Sequence, residues 1–510
     1  MSNRKAGIIL SYINTLLNMV VGLFLSAFLL RVLGDAEYGL YQTMSSFANY
    51  LVLLEFGTGT VMARNLSVCR SKGNSEEEIN RNVSTIWTET LILMAVIIGV
   101  ATAFFFLIDS VYSKSLTMDQ IQSGKMIFVI VTLYLVSSFG VQTLSGIILA
   151  FERYTYNSVM AIAKQVIRVT LLVCLITRWK HALIIALVDF ILGFAMLLIG
   201  YLYCKRKFHV KFSSKYFDRT VFKSSLPLSI AIFTQGLSNQ ANSNVGKFLV
   251  GIEFDPETVA VYSVALYIIH VFASLGTVPI IMYTPQVAKN VTTGIRGRAL
   301  TDTIIKPCRL VTIICGTILF GFISVGRPFI SMIYGSEYLV AWNIVLVVAT
   351  PTVILLTNGV MENVLNAMNK TKPRTLSLLI TTLANIILTL LFMKKWGIMG
   401  AAIASAVSTF LFQVTLLNIY YSKFLDMNMI YLYKKAYKGI VPFQVLGMIA
   451  AFVVTYFISN NILAFLLGGI TYVVISFVGI LIFGVNETER EIIKSTSSRI
   501  VYKIRHKMGE

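Results

Sequence analysis

Fourteen apolar stretches, each long enough to cross a bilayer as a helix, leave this chain few alternatives. The hydrocarbon layer offers no water to a backbone N–H or C=O, so each run has to pair its own peptide groups as a helix. The runs fall at 8–33, 38–63, 83–108, 125–149, 155–177, 181–203, 226–250, 257–283, 304–326, 340–366, 374–393, 399–421, 438–459 and 462–484. Composition agrees: 56% of the residues are hydrophobic and 13% charged, where a soluble chain averages about a quarter charged. The expectation is an all-α polytopic membrane protein.

The basic start at Met1–Lys5 leads into a run too long for a signal peptide and lacking a clear small-residue cleavage site, so it reads as the first span. Most of the 43 Lys and Arg lie at the N-terminus, in the even-numbered connections and in the tail. By the positive-inside rule both termini are then cytoplasmic. The strongest basic block, CKRKFHVKFSSKYFDRTVFK at 204–223, falls at mid-chain. It reads as a topology determinant and linker, or as a grip on anionic headgroups. The tail at 486–510 carries Ile493, Ile500, Ile504 and Met508 on one helical stripe with basic residues around it. That pattern suits a helix lying on the inner leaflet, or a plain solvated tail.

The chain also repeats itself. Ala150-Phe151-Glu152-Arg153 after span 4 and Ala367-Met368-Asn369-Lys370 after span 10 stand at the same offset as Trp179 and Trp396. Tyr38-Gly39-Leu40-Tyr41 and Val259-Ala260-Val261-Tyr262 lie close to that offset. Two parallel six-helix lobes follow, with substrate expected between them. The expected division is an N-terminal lobe at 1–203, a basic linker at 204–225, a C-terminal lobe at 226–421, two closing helices within 438–484 and a basic tail at 485–510.

Within the spans, charges stand out. Lys164 and Arg168, in MAIAKQVIRVTLL at 160–172, are four apart and share a helix face. Each cation near a helix centre costs about 2.5–3.5 kcal/mol on insertion, a cost that persists where a face lines a hydrated cavity or meets an anion. This face is the first candidate for receiving an anionic substrate. Span 7 carries TQGLSNQANSNVGK at 234–247, richer in amides than one packing seam needs. Asn239 and Asn242 share a face there and can donate to phosphate or sugar hydroxyls. Lys247 is a third candidate cation, with snorkelling to the outer surface as the competing reading. Glu55 and Asp189 are the deepest acids. They are candidates for ion coupling, or counter-charges to Lys164 and Arg168. Glu89 and Glu362, nearer the inner ends, read as helix-end contacts. His270 reads as a packed histidine, and Cys308 and Cys315 as small core residues.

Other classes fit poorly. The +20 net charge sits where topology demands it, so nucleic acid is not an expected partner. The five cysteines and four histidines show no metal spacing. No GxxxxGK[ST] motif offers a phosphate cradle. An enzyme acting on lipid-linked sugars outside would need a sizeable external loop, and the longest here is 109–124.

LLRVLGDAEYGLYQ at 29–42 resembles the first-hairpin signature of Wzx-type oligosaccharide flippases, of the multidrug/oligosaccharidyl-lipid/polysaccharide (MOP) exporter superfamily. Phe56-Gly57 leading to Arg64, the turn at 150–153, Tyr334-Gly335, and GIMGAA at 397–402 are similar too. The resemblance implies a two-lobed protein of 14 helices with a cationic cavity. Its expected activity is to flip undecaprenyl-diphosphate-linked oligosaccharide from the inner to the outer leaflet of the bacterial cytoplasmic membrane, by alternating access. It implies no catalysis and no cofactor beyond a coupling ion, H+ or Na+. The expected partners are the lipid-linked oligosaccharide, membrane lipids and a polysaccharide polymerase or export machinery, around a monomer. The alternatives are a lipid II flippase or an ion-coupled drug antiporter of the same superfamily. A drug antiporter should carry an acid deep in span 1, where this chain has Asn14 and Asn18.

Overall fold

The computed structural model describes residues 3–55, 57–73 and 75–484. The described residues are overwhelmingly helical, and the protein is an all-α polytopic membrane protein. Among the described residues ten helices are long and apolar enough to cross a membrane, or eleven if one bent pair counts as a span. With one exception the expected spans fall on helical runs, several of which extend seven to nine residues beyond the expected bounds. The basic tail expected at 485–510 lies outside the described residues.

The exception is span 2, which is three pieces rather than one helix. Helix α2 (Asp35–Ala48) passes into a 3-10 turn (Asn49–Glu55), and α3 (Thr58–Ser71) starts afresh. Gly57 caps α3 with φ +63°, and an added Cβ would sit 2.3 Å from the Ile232 side chain. A glycine is therefore required where the helix breaks. Hydropathy summed along the run does not mark this break.

The described chain packs as two compact units, one of residues up to 268 with 375–408, the other of residues 269–374 with those from 409 on. The first unit holds α1 (Asn3–Leu33), α2, α3, α4 (Glu76–Tyr112), α5 (Met118–Ala150), α6 (Tyr154–Arg178), α7 (Leu183–Phe208) and α8 (Arg219–Glu253). It also takes the start of α9 (Pro256–Thr292) and most of α12 (Lys372–Ser408). Helix α5 is its centre, packed on α2, α3, α4 and α7, while α1 lies along α6. The buried aromatic rings of Phe47, Tyr112 and Phe128 join α2, α4 and α5. Thr143 on α5 shares hydrogen bonds with Thr58 on α3 at 2.8 Å and Thr90 on α4 at 3.0 Å, tying three helices where no water competes.

The second unit holds the rest of α9, α10 (Gly297–Ile333), α11 (Leu339–Ala367), a π-helical turn (Thr409–Thr415), α13 (Leu416–Phe424), the short α14 (Met429–Tyr437), α15 (Val441–Phe457) and α16 (Asn461–Gly479). Helices α10, α15 and α16 pack together. Arg309 on α10 is buried and donates to the carbonyls of Lys435 (2.9 Å), Lys438 (3.1 Å) and Gly484 (2.5 Å), so the guanidinium satisfies carbonyls at two helix ends. Helices α14 and α15 meet at a 48° bend. Spans 11 and 12 turn at Gly397, with φ 55° and ψ −140°.

The matching turns noted in the sequence are built alike. Glu152 and Asn369 both adopt positive φ, 58° and 55°. After α5, the amides of Phe151, Glu152 and Arg153 donate to the carbonyls of Ile147, Leu149 and Ile148. After α11, Met368, Asn369 and Lys370 donate to Val364, Asn366 and Leu365, the same pattern position for position. Two other expectations can be compared directly. Cys308 and Cys315 are buried in α10, while His270 is exposed on α9 rather than packed.

Candidate functional site

In the first unit, two polar stripes face one another. Lys164 and Arg168 lie one turn apart on α6, and α1, packed along it, presents Asn14 and Asn18 at the same spacing. With Tyr134 of α5 and Asp189 of α7 they line a cavity of about 310 Å³.

The two cations stand in different electrostatic positions. Arg168 is two-pronged on Asp189, Nε on one carboxylate oxygen and Nη2 on the other at 2.9 Å. Planar guanidinium and carboxylate suit this geometry, which point-charge ammonium could not match. Tyr41 of α2 adds a third donor, its hydroxyl 3.4 Å from Asp189 Oδ2. Asp189 is buried, 7% exposed, so its charge is met by protein rather than water. Lys164 has no carboxylate partner among the described residues; its ammonium lies 5.1 Å from the centre of the Tyr134 ring. The Asn14 side-chain oxygen is buried in the same cavity with no hydrogen-bond partner. The lining therefore carries one ion pair, one surplus cation and one unmet acceptor.

Lys247 lies elsewhere in this unit. It is on α8 and donates to the side-chain oxygen of Gln42 on α2 at 2.6 Å. Asn239 and Asn242 lie on α8, and Glu55 ends the 3-10 turn; their side chains lie outside the described residues. Of the acids nearer the helix ends, Glu362 pairs with Arg374 at 2.7 Å in the second unit, and Glu89 is buried on α4.

The structure thus joins Lys164, Arg168 and Asp189, and adds Asn14, Asn18, Tyr134 and Tyr41. The two asparagines stood in the sequence at the i, i+4 spacing of the cations, a signal available without a structure. The role of Tyr41 had no such signal, because it reaches Asp189 across 148 positions of chain. The hairpin motif at 29–42 serves as scaffold for both sites: Tyr41 holds Asp189 and Gln42 holds Lys247. Its Gly39 admits the chain at Pro256, whose carbonyl oxygen would lie 1.7 Å from an added Cβ.

The sequence profile of the polysaccharide biosynthesis protein family matches residues 5–291. The chain belongs to this family. No curated protein matches it. Among solved structures, lipid II flippase MurJ in its inward closed conformation superposes with a TM-score of 0.68 at 16% identity, over 95% of this chain and 100% of that one. An inward-facing multidrug resistance MATE family transporter of the MOP superfamily gives 0.59 at 13% identity, over 80% of this chain and 94% of the other. Its outward-facing counterpart gives 0.52 at 12%, over 82% and 95%. This member of the polysaccharide biosynthesis family therefore has the fold shared by MurJ and MATE transporters.

Proposed function

We propose that the protein flips undecaprenyl-diphosphate-linked oligosaccharide units from the inner to the outer leaflet of the bacterial cytoplasmic membrane, by alternating access. The observation that carries this reading is the surplus cation: Lys164 lines a polar cavity inside a spanning bundle whose carboxylate, Asp189, is taken by Arg168, and it has no carboxylate partner among the described residues. An uncompensated ammonium at that depth is costly unless a hydrated cavity or an anion meets it, and a diphosphate supplies the anion. Lys164 takes the phosphate as a point charge. Arg168, already bound by Asp189, is held as a neighbour of the substrate rather than as its principal ligand. Asn14, with its oxygen unmet, can accept a hydrogen bond from a sugar hydroxyl. Membership of the polysaccharide biosynthesis family supports a glycan cargo.

On this reading Asp189 is a counter-charge in the resting protein. It becomes the coupling group if substrate draws Arg168 away, freeing a carboxylate to take H+ or Na+. Glu55 is the other candidate for that role. Both termini are cytoplasmic, as the placement of Lys and Arg requires.

A second reading, lipid II as cargo, is favoured by the likeness to MurJ over 95% of the chain. It uses the same diphosphate contact and differs in the sugar. Purified protein in vesicles, given lipid-linked oligosaccharide or lipid II with and without an ion gradient, tests both. Flipping of the oligosaccharide alone is the expected result; flipping of lipid II alone would replace the first reading with the second. Flipping of neither would remove both.

A further inference from the structure

The second unit contains a pocket of opposite character, about 570 Å³, walled by the π-helical turn, α13 and α14. We propose that this pocket is a binding site for an anionic phospholipid, with an acyl chain inside and its phosphate on Lys423.

The base of the pocket is polar by composition and closed by bonding. Tyr433 donates its hydroxyl to Asn358 Oδ1 at 2.5 Å, Asn418 Nδ2 donates to the Tyr433 hydroxyl at 2.9 Å, and Asn358 Nδ2 donates to Asn418 Oδ1 at 3.1 Å. The three side chains form a closed ring, so Asn418 and Tyr433 line the pocket with their main hydrogen bonds already made. What remains facing the space is carbon: Ile354, Phe410, Val414, Ile419 and Met429 among them. A volume in the usual range of ligand pockets, about 300–1,000 Å³, with such a lining takes a hydrocarbon chain and offers little to a sugar.

The wall has a specific origin. Between α12 and α13 the helix widens into a π turn at Thr409–Thr415, where the Thr415 hydroxyl donates to the Phe410 carbonyl at 3.0 Å. π turns concentrate at functional sites because they cost helical regularity. Here the turn places Phe410, Val414 and Thr415 on the pocket wall.

Charge at the rim selects the head group. Lys423 is the one charged side chain on the lining and is exposed. Around it, 422–438 holds four lysines against Asp426. Arg298 and Lys435 both lie against the Tyr431 ring, at 5.4 and 5.7 Å. Basic pockets between spanning helices on the cytoplasmic side are where anionic headgroups bind. A comparably large apolar pocket in the first unit, about 540 Å³, carries Glu37 and His181 instead and lacks this cationic rim. Placement in the inner leaflet follows from the orientation adopted above. The site itself stands on the second unit alone, and binding is measured without reference to leaflet, so either can fail without the other.

The test is native mass spectrometry of the full-length protein with phosphatidylglycerol and phosphatidylcholine at equal concentration. The wild type should retain phosphatidylglycerol with a preference of about fivefold, the effect of one lysine near an anionic surface. Lys423→Gln should bring the two lipids to parity, Lys423→Arg should keep the preference, and Ile419→Trp, filling the pocket, should lower retention of both. All three should share the wild-type melting temperature. A preference unchanged in Lys423→Gln, or a retention unchanged in Ile419→Trp, would overturn the proposal. So would undecaprenyl phosphate displacing phosphatidylglycerol from the wild type at far lower concentration, which would give the pocket to the polyprenyl carrier.

Discussion

The cavity at Lys164 and the pocket at Lys423 each combine a lysine with amide and tyrosine side chains, yet one offers a ligand polar atoms and the other carbon. In the first, polar atoms are left over: among the described residues Lys164 meets the face of Tyr134 and no carboxylate, and the Asn14 oxygen has no hydrogen-bond partner. In the second, Asn358, Asn418 and Tyr433 close on one another, and the lysine stands outside at the rim. Residue type alone does not set the character of a site. The number of hydrogen-bonding groups left unmet after packing does, because an unmet group in a low-dielectric interior is the one with most to gain from a ligand.

The largest expected effect is on transport at the surplus cation. Lys164→Gln should lower flipping by about 10- to 100-fold, since a hydrogen bond to a charged group contributes about 1.5–3 kcal/mol. Its melting temperature should hold or rise, because an insertion cost disappears with the charge. Lys164→Arg should restore part of the activity. Normal flipping by Lys164→Gln would erase the contrast between the two sites.

Arg168→Gln should act on stability first. It leaves Asp189 buried and unpaired, a change that costs about 3 kcal/mol or more for a buried pair. Arg168→Gln with Asp189→Asn should recover most of the lost stability, measured by thermal unfolding in detergent. If Arg168→Gln is as stable as the wild type but inactive, Arg168 is a phosphate ligand equal to Lys164.

Tyr433→Phe sharpens the other side. Opening the ring takes a partner from the buried Asn358 and the half-buried Asn418 and should cost about 1–3 kcal/mol of stability while leaving flipping within twofold. A large loss of transport without destabilisation would show that the ring is not merely structural.

The smallest effect lies at the start of α8, outside both sites. Asp218 caps that helix, accepting from the Thr220 amide at 2.7 Å and from the Thr220 hydroxyl. These bonds, and Arg81 at 3.9 Å, hold its carboxyl below the usual carboxylate range. A depressed acid contributes stability above its unfolded pKa and loses it as pH falls through the folded one. Asp218→Ala should therefore lower the melting temperature slightly at neutral pH and not at all in strong acid. A cost independent of pH would show that the charge is not involved.

Much of this was legible in the chain. The turn at 150–153 and its copy at 367–370 were visible as matched residues, and their backbones agree bond for bond. Lys164 and Arg168 were visible as cations where apolar residues belong. Their inequality was not, because no spacing rule links Arg168 to Asp189 or Tyr41 to either. The break at Gly57 was hidden for a similar reason, since it answers to Ile232, far along the chain.

The sequence by itself determined which segments are helical and apolar, and where the charged residues sit within them. Those follow from local sums, because a spanning helix satisfies its own backbone and its hydropathy adds residue by residue. Tertiary structure alone decided that Asp189 neutralises Arg168 and leaves Lys164 without a carboxylate partner among the described residues, and that three polar side chains of the second unit satisfy one another. Those outcomes depend on how each helix is rotated against its neighbours, and rotation is set by packing between residues that the chain keeps far apart.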